Sequence, residues 1–220
     1  MTAGLFIRND YGTVQIDENY TNLVLTASGT VISQAADPYL NSSFTITVTG
    51  TNPLIAIYHG AYWMIHTCTQ SGNVFTYVGY TEAGAGTAVQ YYVFDRAPHV
   101  ANASRSGLLI WNGSGQVVFN SDMRPLRISG VLENAGNGTF GFAAGRAYAV
   151  IMAAPFYSVS VSRVSPTLWI STFHSSRVAT SGANILCASR QLRTPLSSGA
   201  GFQVWPPNFY SLIVVDVTNY

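Results

Sequence analysis

A shift of 103 positions lays one stretch of this chain over another without a gap. Gly4–Leu25, GLFIRNDYGTVQIDENYTNLVL, aligns with Gly107–Ile128, GLLIWNGSGQVVFNSDMRPLRI, and seven of 22 positions are identical. A fixed spacing between similar segments is the signature of repeated structural units. The shared residues are those a β-hairpin needs. Leu5, Ile7, Val14 and Ile16, like Leu108, Ile110, Val117 and Phe119, alternate at period two and give each strand one apolar face. Between them stand Asn9-Asp10-Tyr11-Gly12 and Asn112-Gly113-Ser114-Gly115, with Asn first and Gly last. That pattern fits a type I turn with a G1 bulge, where Gly supplies the positive φ. A lone hairpin is marginal, so each copy must pack on further strands.

The ends of the two halves also correspond. Tyr91-Tyr92-Val93-Phe94-Asp95 and Leu212-Ile213-Val214-Val215-Asp216 are both apolar strands ending at Asp. Arg96 to Ser106, with Pro98, Asn102, Ser104 and Ser106, reads as a linker. The expected organisation is two related modules, residues 1–103 and 104–220.

Further strands are expected at Asn22–Ile32, Ser43–Val48, Leu54–Tyr58, Tyr62–Cys68, Val74–Tyr80 and Ala88–Phe94. In the second half they fall at Leu126–Val131, Thr139–Phe142, Tyr148–Met152, Tyr157–Val164, Thr167–Phe173, Ile185–Ser189 and Tyr210–Val217. Thr, Val, Ile and Tyr dominate these runs. No window carries a capped 3.6-residue period. The fold class is therefore all-β: two related β-sandwich-like modules, each opening with a β-hairpin, with little or no helix.

Charge narrows the function classes. Only 9% of the 220 residues are charged, the net charge is +1, and all ten basic residues are scattered arginines. Ordinary soluble domains carry about 25%. No basic run exists, so nucleic acid and anionic lipid are not expected partners. Hydrophobic residues make up 48%, which argues against disorder. The longest apolar run, Ala147 to Ala154, ends at Pro155 and is far short of a membrane-spanning helix. A surface this poor in charge points to one covered by partners. The N-terminus has no basic segment followed by an apolar one, so synthesis without a signal peptide is expected. In that setting Cys68 and Cys187 read as free, buried thiols.

Chemistry-bearing motifs are scarce. Gly113-Ser114-Gly115 belongs to the hairpin turn rather than to a nucleophile elbow. Glu82-Ala83-Gly84-Ala85-Gly86-Thr87 lacks the Lys and helix of a phosphate loop and reads as a flexible hairpin loop. Adjacent Asp17 and Glu18 point to opposite faces of a strand. His66-Thr67-Cys68, with His59 nearby, matches no established metal spacing. No catalytic residue, metal or cofactor is therefore expected. Two aromatic clusters remain: Tyr58, His59, Tyr62 and Trp63, and Trp205, Asn208 and Tyr210. Exposed, they would suit glycan stacking or a protein receptor; buried, they would close the end of a sheet core.

The repeated segment resembles a pattern in tail-tip and tail-fibre-associated virion proteins of long-tailed bacteriophages of Gram-negative bacteria. The residues that carry it are Gly107-Leu108-Leu109-Ile110-Trp111-Asn112, Gly115, Phe119-Asn120-Ser121 and Pro125-Leu126-Arg127-Ile128. The first copy departs at Thr21-Asn22-Leu23, where the Pro and Arg are missing. The resemblance covers about 45 residues in two copies and carries over no catalytic residue. It implies a non-enzymatic virion protein of the tail, made in the host cytoplasm, in a homotrimer or larger ring. Other tail proteins would be its neighbours, and a host-surface glycan or protein receptor its target. The alternatives are a carbohydrate-binding, lectin-like β-sandwich and a surface-polysaccharide hydrolase.

Overall fold

The computed structural model describes residues 6–8, 14–17, 22–36, 42–96, 108–115, 117–154, 157–163, 169–193, 196–197 and 210–220. Among them there is no helix. The first half contributes β1 (Phe6–Arg8), β2 (Val14–Asp17), β3 (Leu23–Ile32), β4 (Gln34–Ala35), β5 (Ser42–Thr49), β6 (Leu54–Tyr58), β7 (Trp63–Ser71), β8 (Val74–Thr81) and β9 (Ala88–Arg96). The second contributes β10 (Leu109–Trp111), β11 (Val117–Asn120), β12 (Ile128–Ala135), β13 (Gly138–Gly141), β14 (Tyr148–Ala154), β15 (Tyr157–Arg163), β16 (Trp169–Ser181), β17 (Asn184–Arg193), β18 (Leu196–Ser197) and β19 (Tyr210–Asp216).

Both expected hairpins form, with one register. Phe6 pairs Asp17, Ile7 pairs Ile16 and Arg8 pairs Val14; 103 residues on, Leu109 pairs Asn120, Ile110 pairs Phe119 and Trp111 pairs Val117. Even the irregularity falls at the same place in the two copies. In the second hairpin the Gly115 N–H donates to the Asn112 carbonyl (2.9 Å), and the Ser114 N–H donates to Asn112 Oδ1 (3.0 Å). Gly115 has φ +73°, a conformation that favours Gly.

The remaining strands form two large antiparallel sheets. One has six strands in the order β12-β19-β14-β6-β9-β3. The other runs β13-β17-β16-β7-β8-β5-β4, with β15 and β18 added on β16. Each order reads as a mirror about its middle: the second half supplies one side and the first half the other. The registers agree. Leu25 faces Phe94, and past a bulge Ala27 faces Val93; Ile128 faces Val215, and past a bulge Gly130 faces Val214. Asp95 thus corresponds to Asp216. The two halves are joined edge to edge. β6 pairs β14 through Ile57 and Val150, and β7 pairs β16 through Trp63 and Val178. Each half supplies part of both sheets.

The two sheets pack face to face. Their shared core includes Phe44, Ile46, Ile57, Trp63, Val93, Tyr148, Val150, Val178, Ile185 and Leu212. Burying each such side chain contributes about 1.5–3 kcal/mol relative to leaving it exposed. The other face of the six-stranded sheet holds a second cluster, with Ala56, Phe94, Ala149, Ile151 and Val215 buried and Leu23, Leu25 and Leu126 packed on them. That face is covered at one side where β3 meets the segment leading into β12. The Leu25 N–H donates to the Arg124 carbonyl and the Leu126 N–H to the Leu23 carbonyl, both at 2.8 Å, across a bridge between Val24 and Pro125.

Two local expectations need correction. Residues 82–87 do not close a hairpin; they carry the chain from β8 in one sheet to β9 in the other. The segment is also tied down. Ser33 Oγ donates to the Gly84 carbonyl (2.9 Å), Ser42 Oγ to the Ala83 carbonyl (2.6 Å), and the Gly86 N–H to the Ser33 carbonyl (2.8 Å). The strand expected at Thr167–Phe173 runs on to Ser181. Residues Ser175 to Thr180 are all buried, the polar Ser175, Ser176, Arg177 and Thr180 included.

Candidate binding cleft

The aromatic cluster at the β6–β7 connection belongs to the core. Trp63 is fully buried and His59 is buried, whereas Tyr58 and Tyr62 are half-buried. Trp63 therefore offers no ring face to a ligand. The physical reason is register: Trp63 lies opposite Val178 at the join between the halves and points between the sheets with it. His59 is locked in place. Its Nε2 lies 2.8 Å from Thr81 Oγ1, and its carbonyl accepts the Thr180 N–H at 2.9 Å. Burial pushes the imidazole below its usual pKa, against an opposing pull from the Ala88 backbone. Tyr210 begins β19 opposite Ala135. Trp205 and Asn208 lie outside the described residues.

Several acidic residues have structural employment. Asp95 is buried and accepts the Thr51 N–H (2.6 Å) and the Asn52 N–H (3.2 Å), which clamps the turn before β6. Its counterpart Asp216 accepts from the Thr218 N–H (2.9 Å) and from Arg146 (2.5 Å). Burial alone would raise the Asp216 pKa; the Thr218 and Arg146 hydrogen bonds and the Arg127 charge outweigh it and hold the carboxyl below its usual range. Glu82 meets the buried Arg177 at 2.9 Å. Among the described residues no three His, Cys, Asp or Glu side chains gather into a potential metal site.

Sequence reasoning missed one concavity. A cleft of about 370 Å³ opens at one end of the sandwich, beside the join between the halves. Ile55 of β6, Met152 of β14 and Ile213 of β19 form its floor, and Ile65 and Cys68 of β7 with Tyr77 of β8 form the opposite wall. The Tyr77 hydroxyl donates to the Pro53 carbonyl at 2.7 Å, which braces this wall against the start of β6. Burial, with Cys68 alongside, raises the Tyr77 phenol pKa. Both cysteines are free, as expected, but only Cys187 is buried; Cys68 is exposed because it faces this cleft. No sequence signal marks the cleft, since its lining comes from strands distant in the chain.

Apolar side chains also stand outside the core. On the outer strand β12, Ile128 is 55% and Val131 53% exposed, and on the second hairpin Trp111 is 53% exposed. Among the described residues no helix is long and apolar enough to cross a membrane. No family model, curated protein or solved structure matches the chain.

Proposed function

We propose that this chain is a non-enzymatic structural component of a phage tail tip or baseplate, built to be covered by neighbouring subunits and able to contribute to host attachment. The observation that carries the reading is the outer strand β12. It pairs only β19 among the described residues and holds Ile128 and Val131 half exposed. An outer strand left to solvent is normally guarded by charge or by inward-pointing Lys. β12 has a single charged residue, Glu133, and the whole chain has no Lys. The resemblance of the two hairpin segments to tail proteins supplies the particle, and symmetric tail assembly supplies a homotrimer or larger ring. Weak single contacts to a receptor would gain about 10²–10⁴ in avidity from such a ring.

Light scattering behind a sizing column, with immunogold labelling of purified particles, tests this reading. Oligomers and tail-tip labelling are expected. A monomer at all concentrations that is missing from particles would end it. A lectin-like reading rests on Trp111, exposed beside the Asn112–Gly115 turn. It requires glycan binding that Trp111→Ala abolishes without lowering the melting temperature.

A further inference from the structure

The two-fold repeat allows each place in one half to be compared with its twin in the other. The β7–β8 turn, Ser71-Gly72-Asn73-Val74, matches the β16–β17 turn, Ser181-Gly182-Ala183-Asn184; Ser71 pairs Val74, Ser181 pairs Asn184, and Gly72 and Gly182 have φ of +61° and +59°. Counting back from these turns, Cys68 opposite Tyr77 corresponds to Val178 opposite Cys187. On the other sheet, Ile55 opposite Val93 corresponds to Val150 opposite Val214, and Met152 opposite Leu212 corresponds to Ile57 opposite Tyr91. The twin of the cleft wall Cys68, Tyr77, Ile55 and Met152 is therefore Val178, Cys187, Val150 and Ile57.

All four twin residues are buried in the shared core. Of the four cleft residues only Ile55 is buried, Tyr77 and Met152 are half-buried, and Cys68 is exposed. The difference is Trp63. It sits opposite Val178, fully buried, in the same core cluster. Its twin position is His174, since Trp63 pairs Thr81 and His174 pairs Gln191. That stretch of β16 is engaged elsewhere: residues 169–175 pair with β15, a strand with no counterpart among the described residues of the first half. The β7–β16 pairing is confined to Trp63 and Val178. No described side chain does for Cys68 what Trp63 does for Val178.

We propose that the cleft is a socket for an aromatic side chain of tryptophan size, presented by an extended segment of a partner protein lying along β7. The twin site supplies the chemistry, because there the fold itself seats an indole beside Val178, the twin of Cys68, in the same core cluster. The backbone supplies the second element of recognition. From Thr67 to Ser71, β7 pairs only β8 among the described residues, so its other side is available for strand addition. The cleft volume lies within the range of ligand pockets, about 300–1,000 Å³. No Asp, Glu or Arg lines the cleft, and beside His66, Thr67, Cys68 and Tyr77 its lining is apolar, so a neutral, largely apolar group is the matched occupant. The inference stands on the cleft and its twin, whatever assembly the chain joins.

Thiol labelling of the full-length native protein tests it, because Cys68 is exposed and Cys187 buried. The probes are a capped Thr-Val-Trp-Val-Thr peptide and the same peptide with Ala in place of Trp. At ten times its Kd the Trp peptide is expected to slow Cys68 labelling about tenfold, by simple occupancy. The Ala peptide is expected to leave the rate unchanged. Ala153→Glu, at an exposed position on the rim, is expected to abolish the protection while leaving the melting temperature unchanged. Equal protection by both peptides, or none up to the solubility limit of the Trp peptide, would overturn the proposal. So would a Cys68 as unreactive as Cys187 in the free protein, because the socket would then be filled by the chain itself.

Discussion

Trp63 decides between a core residue and a binding platform. Its side chain is fully buried between the sheets, and its Nε1 has no hydrogen-bond partner among the described residues. Trp63→Ala removes the whole ring from a packed site, at a cost of about 3–5 kcal/mol. An unpartnered buried N–H already costs the native protein about 1–3 kcal/mol, and the substitution relieves that part. The net loss should therefore sit at the low end, about 3 kcal/mol. For a chain of this size that corresponds to a fall of about 6–12 °C in Tm. Trp63→Phe keeps most of the ring and sheds the orphan donor, so it should remain within about 1 kcal/mol of the parent. Urea denaturation followed by far-ultraviolet circular dichroism measures both variants without relying on the lost fluorophore. The reasoning is refuted if Trp63→Ala unfolds at the parent's midpoint, or if Trp63→Phe is as damaging as Trp63→Ala.

Three further outcomes follow from the geometry. Gly79→Ala should destabilise the protein by about 1–3 kcal/mol through overpacking, since an added Cβ would meet the Phe44 ring and lie 2.7 Å from the Met64 carbonyl. Gly84→Ala meets nothing within 4 Å and serves as the neutral control in the same melt. Acid should destabilise the fold in two stages. His59 has a folded pKa below its ordinary 6.5, so the unfolded chain binds more protons as pH falls below that value, and stability drops with it. Asp216, also depressed, adds a loss below its ordinary 3.8 as pH falls towards its folded pKa. A titration of the urea midpoint should show His59→Gln flattening the first stage and Asp216→Asn the second; unchanged slopes would contradict these assignments. Ellman's reagent should label one thiol in the native protein and two in denaturant, because Cys68 is exposed and Cys187 buried. Two fast native thiols would contradict the burial of Cys187.

Much of the fold was legible where local chemistry decides it. The hairpins announced themselves through Asn, Gly and strict alternation, and the Asp-terminated strands β9 and β19 through their shared pattern. The rest of the duplication stayed hidden for a geometric reason. Corresponding strands lie 103 residues apart at β3 and β12, 110 at the Ser-Gly turns of β7–β8 and β16–β17, and 121 at β9 and β19. One gap-free shift aligns only the first of these. The continuation of β16 through Ser175, Ser176 and Arg177 was invisible because buried polar residues there look like a surface loop. Burial of Trp63 and His59 depended on the pairing of the two halves, which no local pattern encodes. The cleft is further still from the sequence: it arises from a pairing that β16 makes with β15 instead of β7.

The central claim is that the halves share both sheets about a two-fold, so that β6 and β14 lie in the middle of a six-stranded sheet. Hydrogen–deuterium exchange with peptide resolution tests this directly. The slowest amides in the first half should lie in Leu54–Tyr58 and Ala88–Arg96, and in the second half in Tyr148–Ala154 and Tyr210–Asp216. The outer strands β3 and β12 should exchange faster. If instead Leu54–Tyr58 and Tyr148–Ala154 exchange as fast as β3 and β12, then β6 and β14 are sheet edges, the halves are separate modules, and the account is wrong.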